Sequence, residues 1–222
     1  MARQTASDLI SDVKLAIGGP DPTLVLDANV LRWINQAYLE VSSTYDHPAL
    51  ETTTAVTTAA STATYQLAAS PVVLTINHIL DTTNQFQLLE INCDLYGRYT
   101  QGGTTTGAPT HWLEDGVGAN NRKNITLWPT PAGVYSLTVH IKKQPDDLVT
   151  SPTATSVILH QMWDDVIFHF ATARAWKILG DGEKYQMWRQ EGELLAKRAA
   201  GITERSPQEP ISFKSPIAGA LR

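Results

Sequence analysis

The chain has 222 residues, 42% of them apolar, with 17 Lys and Arg against 22 Asp and Glu for a net charge of −5. That is enough apolar material for one large domain or two small ones. The acidic balance, with no basic run longer than the pairs Arg122-Lys123, Lys142-Lys143 and Lys197-Arg198, argues against a tight, salt-dependent grip on nucleic acid. It does not argue against a protein past which DNA slides. Cys93 is alone, which excludes an intrachain disulfide and makes a reducing compartment the simplest expectation. MARQTASD lacks the apolar stretch of a signal peptide, and no run of about 18 apolar residues predicts a membrane span.

Residues 7–17, SDLISDVKLAI, predict a short helix. Leu9, Ile10, Val13, Ala16 and Ile17 recur at helical spacing, and Gly18-Gly19-Pro20 stops it. Asp27 is expected as the N-cap of a second helix, ANVLRWINQAYLEVSSTY. There Val30, Trp33, Ile34, Ala37, Tyr38 and Val41 form one apolar stripe, and Pro48 closes the section. ETTTAVTTAASTATYQL is rich in β-branched Thr, which suits strands, and is also low in complexity, so strand and disorder both fit.

PVVLTINHIL and QFQLLEI predict two strands joined by the turn DTTN. After the loop GGTTTGAP, the segments THWLEDG, KNITLWP and YSLTVHIKKQ predict three more, separated by GVGANN and TPAG. In the last, Tyr135, Leu137, Val139 and Ile141 alternate strictly, as in a half-buried strand. Residues 50–146 thus read as a small antiparallel β module.

Helical spacing returns near Val157 in VILHQMWDDVIFHFATARAWKILG. Met162, Trp163, Val166, Ile167, Phe170 and Ala171 share one side, while Phe168, Ala175 and Leu179 lie on others, so more than one face should be buried. GDG at 180–182 predicts a reversal, with Gly180 as C-cap and Asp181 as the next N-cap. Tyr185, Trp188, Gly192, Leu195 and Ala199 then form a narrow seam, and Gly201 ends the helix. The expected fold class is α+β: a four-helix bundle from residues 1–48 and 151–201, a β insertion module at 49–150, and an extended C-terminal arm at 202–222. Pro207, Pro210 and Pro216 forbid a continuous helix or central strand in that arm. Its apolar Ile211, Phe213, Ile217 and Leu221 therefore need a receiving surface, and at roughly 3.3 Å per residue the arm could span about 70 Å.

Catalytic signals are weak. GxxxxGK[ST], GxGxxG and GxSxG are absent. Cys93 in NCDLYG has no histidine placed by sequence and reads as a packed thiol. His160 with Asp164, and Asp165 with His169, are each four apart and could each offer two metal ligands. The two faces diverge by about 100°, however, and an acidic first helical turn accounts for the aspartates as well. No metal or cofactor is expected. Six tryptophans could suggest sugar stacking, but Trp33, Trp163, Trp176 and Trp188 fall at helical core positions; Trp112 and Trp128 belong to the β module.

Three stretches, in order, carry a resemblance: LRWINQAYLEV in the first helix pair; GAPTHWLEDG followed by NITLWPTPAGVYSLTVHIKKQPDDL, with its Pro-x-Pro-x-Gly turn and closing proline; and LGDGEKYQMWRQEGELL, joining the last two helices. Together they cover most of residues 7–200, and the chain resembles the tailed-phage head-to-tail adaptor (connector) proteins. The resemblance implies a dodecameric ring docked beneath the portal, in the virion neck, after assembly in the host cytoplasm. It implies no enzymatic activity. It also implies a continued DNA channel without sequence-specific binding, and a platform for tail or nozzle proteins. Within it, Ile211, Phe213, Pro216, Ile217 and Leu221 would form a portal-binding arm. Ile211 and Phe213 point to one side of an extended segment, which suits strand addition to a partner's sheet.

A ring needs two different apolar faces on each subunit, and Phe168, Ala175 and Leu179 are the expected second face. Carboxylates such as Asp146-Asp147 and Glu114-Asp115 could line the channel and repel phosphates. Rival readings are a neck or tail-completion protein at an adjacent layer, a carbohydrate-binding module on a helical scaffold, and a small metal hydrolase using His160, Asp164, Asp165 and His169.

Overall fold

A computed structural model describes residues 4–18, 25–101, 103, 105–119, 122–150 and 155–201. Two hydrophobic cores organise them, one helical and one inside a curled sheet. Helix α1, Ala6–Ile17, opens on a reciprocal cap: Thr5 Oγ1 accepts from the Asp8 N–H while the Asp8 carboxylate accepts from the Thr5 N–H. It buries Leu9, Ile10, Val13 and Ile17. Helix α2, Asp27–Thr44, buries the stripe from Val30 to Val41. Asp27 is not its N-cap. Leu26 takes that position, and Asp27 sits in the first turn, where it pairs with Lys14 of α1. A carboxylate there still complements the helix dipole.

A 3-10 turn, Pro48–Leu50, leads into the Thr-rich segment, which forms β1 (Glu51–Thr57) and β2 (Thr64–Gln66). Then come β3 (Val73–Asp81), β4 (Phe86–Glu90), α3 (Cys93–Thr100), β5 (Thr106–Gly107), β6 (His111–Val117), β7 (Lys123–Trp128), β8 (Thr130–Pro131) and β9 (Ser136–Lys143). Seven strands join in the order β1-β9-β3-β4-β6-β7-β2, with β5-β8 as a separate ladder.

The sheet is mixed, not antiparallel, because β4 and β6 run parallel. Parallel neighbours need a crossover, and α3 lies within it. The sequence reading predicts no helix there: α3 is only eight residues long and buries no side chain fully, so the half-buried Leu95, Tyr96 and Tyr99 span barely two turns. Asn92 caps it, accepting from the Leu95 N–H at 2.8 Å. Cys93 stands exposed at its start rather than packed. In β3 the core residues Ile76 and Ile79 are three apart, and a β-bulge at Asn77 restores the register between them.

Helix α4, Met162–Ile178, begins five residues later than the apolar pattern suggested. Val157 and Leu159 are buried in the helical core while Ile158 is exposed, which is the alternation of an extended approach. Helix α5, Gly182–Ala199, follows a turn in which Gly180 adopts φ +83° and Asp181 accepts from the Lys184 N–H at 3.0 Å. The four long helices share one core, and their contacts do not establish the expected four-helix bundle. Helix α4 is central, α1 and α2 pack against it and each other, and α5 lies chiefly on α4. The cause is the narrow seam of α5, whose only buried residues are Gly192 and Ala196. Ile211, Phe213, Pro216, Ile217 and Leu221 lie outside the described residues.

Candidate assembly surfaces

The α4–α5 contact is unusually close at Gly192. A Cβ there would lie 2.6 Å from Phe170 Cδ1 and Cε1 and 3.2 Å from His169 Cβ. Trp188 flanks the contact, edge-on to Phe168 at 5.7 Å. Of the three residues expected at a ring contact, Phe168 and Leu179 are partly buried against the helical core and Ala175 is fully buried. The apolar groups that do face outward are different. Met187 and Leu194, two turns apart on α5, are 54% and 50% exposed. On α2, Leu39 is exposed and Leu31 partly so, lining a shallow groove with Asn35 and Arg32. The spacing of Met187 and Leu194 was visible in the sequence, but the stronger seam beside it drew the reading.

A charge cluster ties three helices together. Glu40 on α2 accepts from Arg174 Nη2 on α4 at 2.6 Å and pairs with Arg189 Nη1 on α5 at 2.6 Å. Arg189 Nε also donates to Glu193 at 2.9 Å. Burial of Glu40 favours its protonated form, but the hydrogen bonds and charges of the two arginines outweigh this and hold the carboxyl below its ordinary range. Nothing in local spacing announced this cluster, because its members meet only in the folded chain.

The junction between the two cores is also polar. His47 is buried, donates from Nε2 to the Val41 carbonyl at 3.2 Å, and stands edge-on to Trp163 at 4.5 Å. Lys142 of β9, itself buried, donates to the Tyr45 carbonyl that ends α2 and lies 3.5 Å from Asp46. Burial pushes the His47 imidazole below its ordinary value of 6.5; the Val41 hydrogen bond opposes this and the Lys142 charge adds to it. A histidine held neutral in the fold contributes stability that is complete above 6.5 and declines as pH falls from there toward the lower folded value. Thermal melts should therefore show a midpoint falling below pH 6.5, and His47→Gln should flatten that slope. An unchanged slope in the variant would place the titration elsewhere.

With both cores and their junction described, the decisive comparison is at family level: the model of the SU10 adaptor proteins matches residues 4–212, across both helical segments and the whole sheet. The chain belongs to the SU10 adaptor protein family. It is a structural adaptor of phage virions, of the head-to-tail kind that the sequence resembled. No curated protein matches it.

Trp112 is 2% exposed, and the half-buried Trp128 is stacked on Tyr99 at 4.4 Å with His111 edge-on at 5.4 Å. These rings cover one another, so they do not make the flat exposed platform a sugar needs. His160 precedes α4, Asp164 is buried and Asp165 exposed, and His169 Nδ1 bonds the Asp165 carbonyl at 2.7 Å. Among the described residues, no three His, Cys, Asp or Glu side chains group to hold a metal. Glu114 is paired with Lys123 at 2.8 Å and Asp115 accepts from Thr126 at 3.0 Å, whereas Asp146 and Asp147 are exposed. No described helix is long and apolar enough to cross a membrane.

Proposed function

We propose that the adaptor assembles as a ring, a dodecamer as the resemblance implies, between portal and tail, and continues the channel through which DNA passes. The observation that carries this reading is the packing of α5 chiefly on α4, which leaves Met187 and Leu194 facing outward while α2 offers Leu31 and Leu39 on a separate side. Two unlike apolar faces on one subunit are what head-to-tail contacts around a ring require. Phe168, Ala175 and Leu179 act in this reading by setting how α5 projects from α4. The segment containing Ile211, Phe213, Pro216, Ile217 and Leu221 docks on the portal, with strand addition as the mode. The β module meets the next tail component.

The test mixes the full chain with its portal protein and images the product by electron microscopy. Rings seated on the portal are expected. Met187→Asp with Leu194→Asp should leave a folded subunit that no longer closes rings, since burying a charge against an apolar partner costs several kcal/mol. Deleting 203–222 should abolish docking and spare the helical signal by circular dichroism. Docking that survives the deletion would remove the arm from the mechanism. Rings that survive the double charge substitution would move the subunit contact away from α5.

A further inference from the structure

We propose that His78 and His140 form a binding site for a borderline divalent transition cation on the outer face of the β module. The two residues are directly opposed on β3 and β9. Their rings stack at 4.1 Å between centroids with planes 16° apart. The bulge produces this pairing. Counting on from the pair Ile76–Ile141, Asn77 would fall opposite His140; the extra residue brings His78 there instead. Both histidines line a cleft of about 210 Å³ together with Glu51, Thr53 and Asn77.

The chain's other four histidines all have a ring nitrogen engaged. His47 bonds the Val41 carbonyl, His111 bonds Thr110, His160 accepts from the Met162 N–H, and His169 bonds the Asp165 carbonyl. Among the described residues His78 and His140 have no hydrogen-bond partner for either ring nitrogen. Four uncommitted nitrogens therefore lie on two adjacent, half-buried rings beside a polar cleft. Neutral imidazole is a preferred ligand for Zn, Cu and Ni. The χ2 torsion of histidine is broad, so a turn of each ring out of the stack directs one nitrogen of each toward a shared ion.

Among the described residues no third protein ligand groups there, so water completes the coordination and binding is reversible. The ion would tie β3 to β9 beside the bulge. It would not build the module, because the sheet core beneath is complete without it.

The test titrates NiCl2 into the tag-free full chain by calorimetry and follows the histidine ring signals by NMR. One ion per chain is expected, with the rings of His78 and His140 broadened first. His78→Gln and His140→Gln should each weaken binding by at least about tenfold, a loss of about 1.4 kcal/mol. His169→Gln and Cys93→Ser should bind as the unaltered chain does. The melting temperature should rise with Ni2+ in the unaltered chain and not in His78→Gln. An unaltered chain that takes up no ion, ring signals of His78 and His140 that stay sharp, or binding that persists undiminished in either glutamine variant would each overturn the site. The NMR arm needs no variant, so a poorly folded substitution leaves the test intact.

Discussion

Replacing Gly192 with leucine should lift α5 off α4 and cost about 3 kcal/mol or more. A Cβ at this position would stand 2.6 Å from two carbons of the Phe170 ring, well inside van der Waals contact. The ring has little room to yield. Phe170 is 2% exposed, embedded in the helical core, and capped by the Arg189 guanidinium at 4.4 Å from its centroid. Alanine is the informative control. Removing a glycine from a helix interior gains about 1 kcal/mol of propensity, and overpacking costs about 1–3 kcal/mol, so Gly192→Ala should be only mildly destabilised. Leucine adds three further carbons at the closest point of the seam and cannot be absorbed. Denaturant midpoints followed by tryptophan fluorescence, with Trp188 beside the contact, measure both. Because α5 carries Met187 and Leu194, the leucine variant should lose ring assembly along with stability. Wild-type midpoint and wild-type rings together would show that α5 seats on α4 without this close approach.

How far the sequence disclosed these features depends on how each one is encoded. Helices α1 and α2 were legible because one face of each is buried against a single core, leaving a clean apolar period from Leu9 to Ile17 and from Val30 to Val41. Strand β9 was legible for the same reason at period two. Helix α3 left only a short trace, because it is eight residues long and buries no side chain fully. The parallel pairing of β4 with β6 follows from where the chain returns after that helix, which no local pattern records. The start of α4 was misplaced because Val157-Ile158-Leu159 is a continuous apolar run, and so short a run fits a buried helix or a strand. The seam through Gly192 was read correctly as narrow, yet its consequence, an α5 that touches little besides α4, emerged only in three dimensions. Interactions between distant residues were invisible: the Glu40 cluster, the His47–Lys142 junction and the His78–His140 stack each join segments that only folding brings together.

The Glu40 cluster sets the largest expected electrostatic effect. Glu40→Ala leaves Arg174 and Arg189 facing each other without their shared anion. Breaking a fully buried pair costs about 3–5 kcal/mol, and an exposed pair contributes about 0–1 kcal/mol. Glu40 is 24% exposed and its partners 33% and 30%, so about 2 kcal/mol is expected. The pH dependence separates charge from packing. The carboxyl is held below its ordinary value of 4.5, so its contribution is complete above that value and is lost as pH falls through the lower folded value. Glu40→Gln keeps the size and one acceptor oxygen but cannot ionise. Its stability should therefore be reduced at neutral pH and converge on the parent's as acid protonates Glu40 there. This window begins at 4.5, below the 6.5 at which the His47 step begins, so the two steps set in at different pH in one series of melts. Salt adds a second readout: the parent should lose more stability than Glu40→Gln between low and high ionic strength, since screening acts on the partly exposed charges. Parallel pH curves for parent and Glu40→Gln would mean that the arginines are held by packing and that Glu40 contributes shape alone.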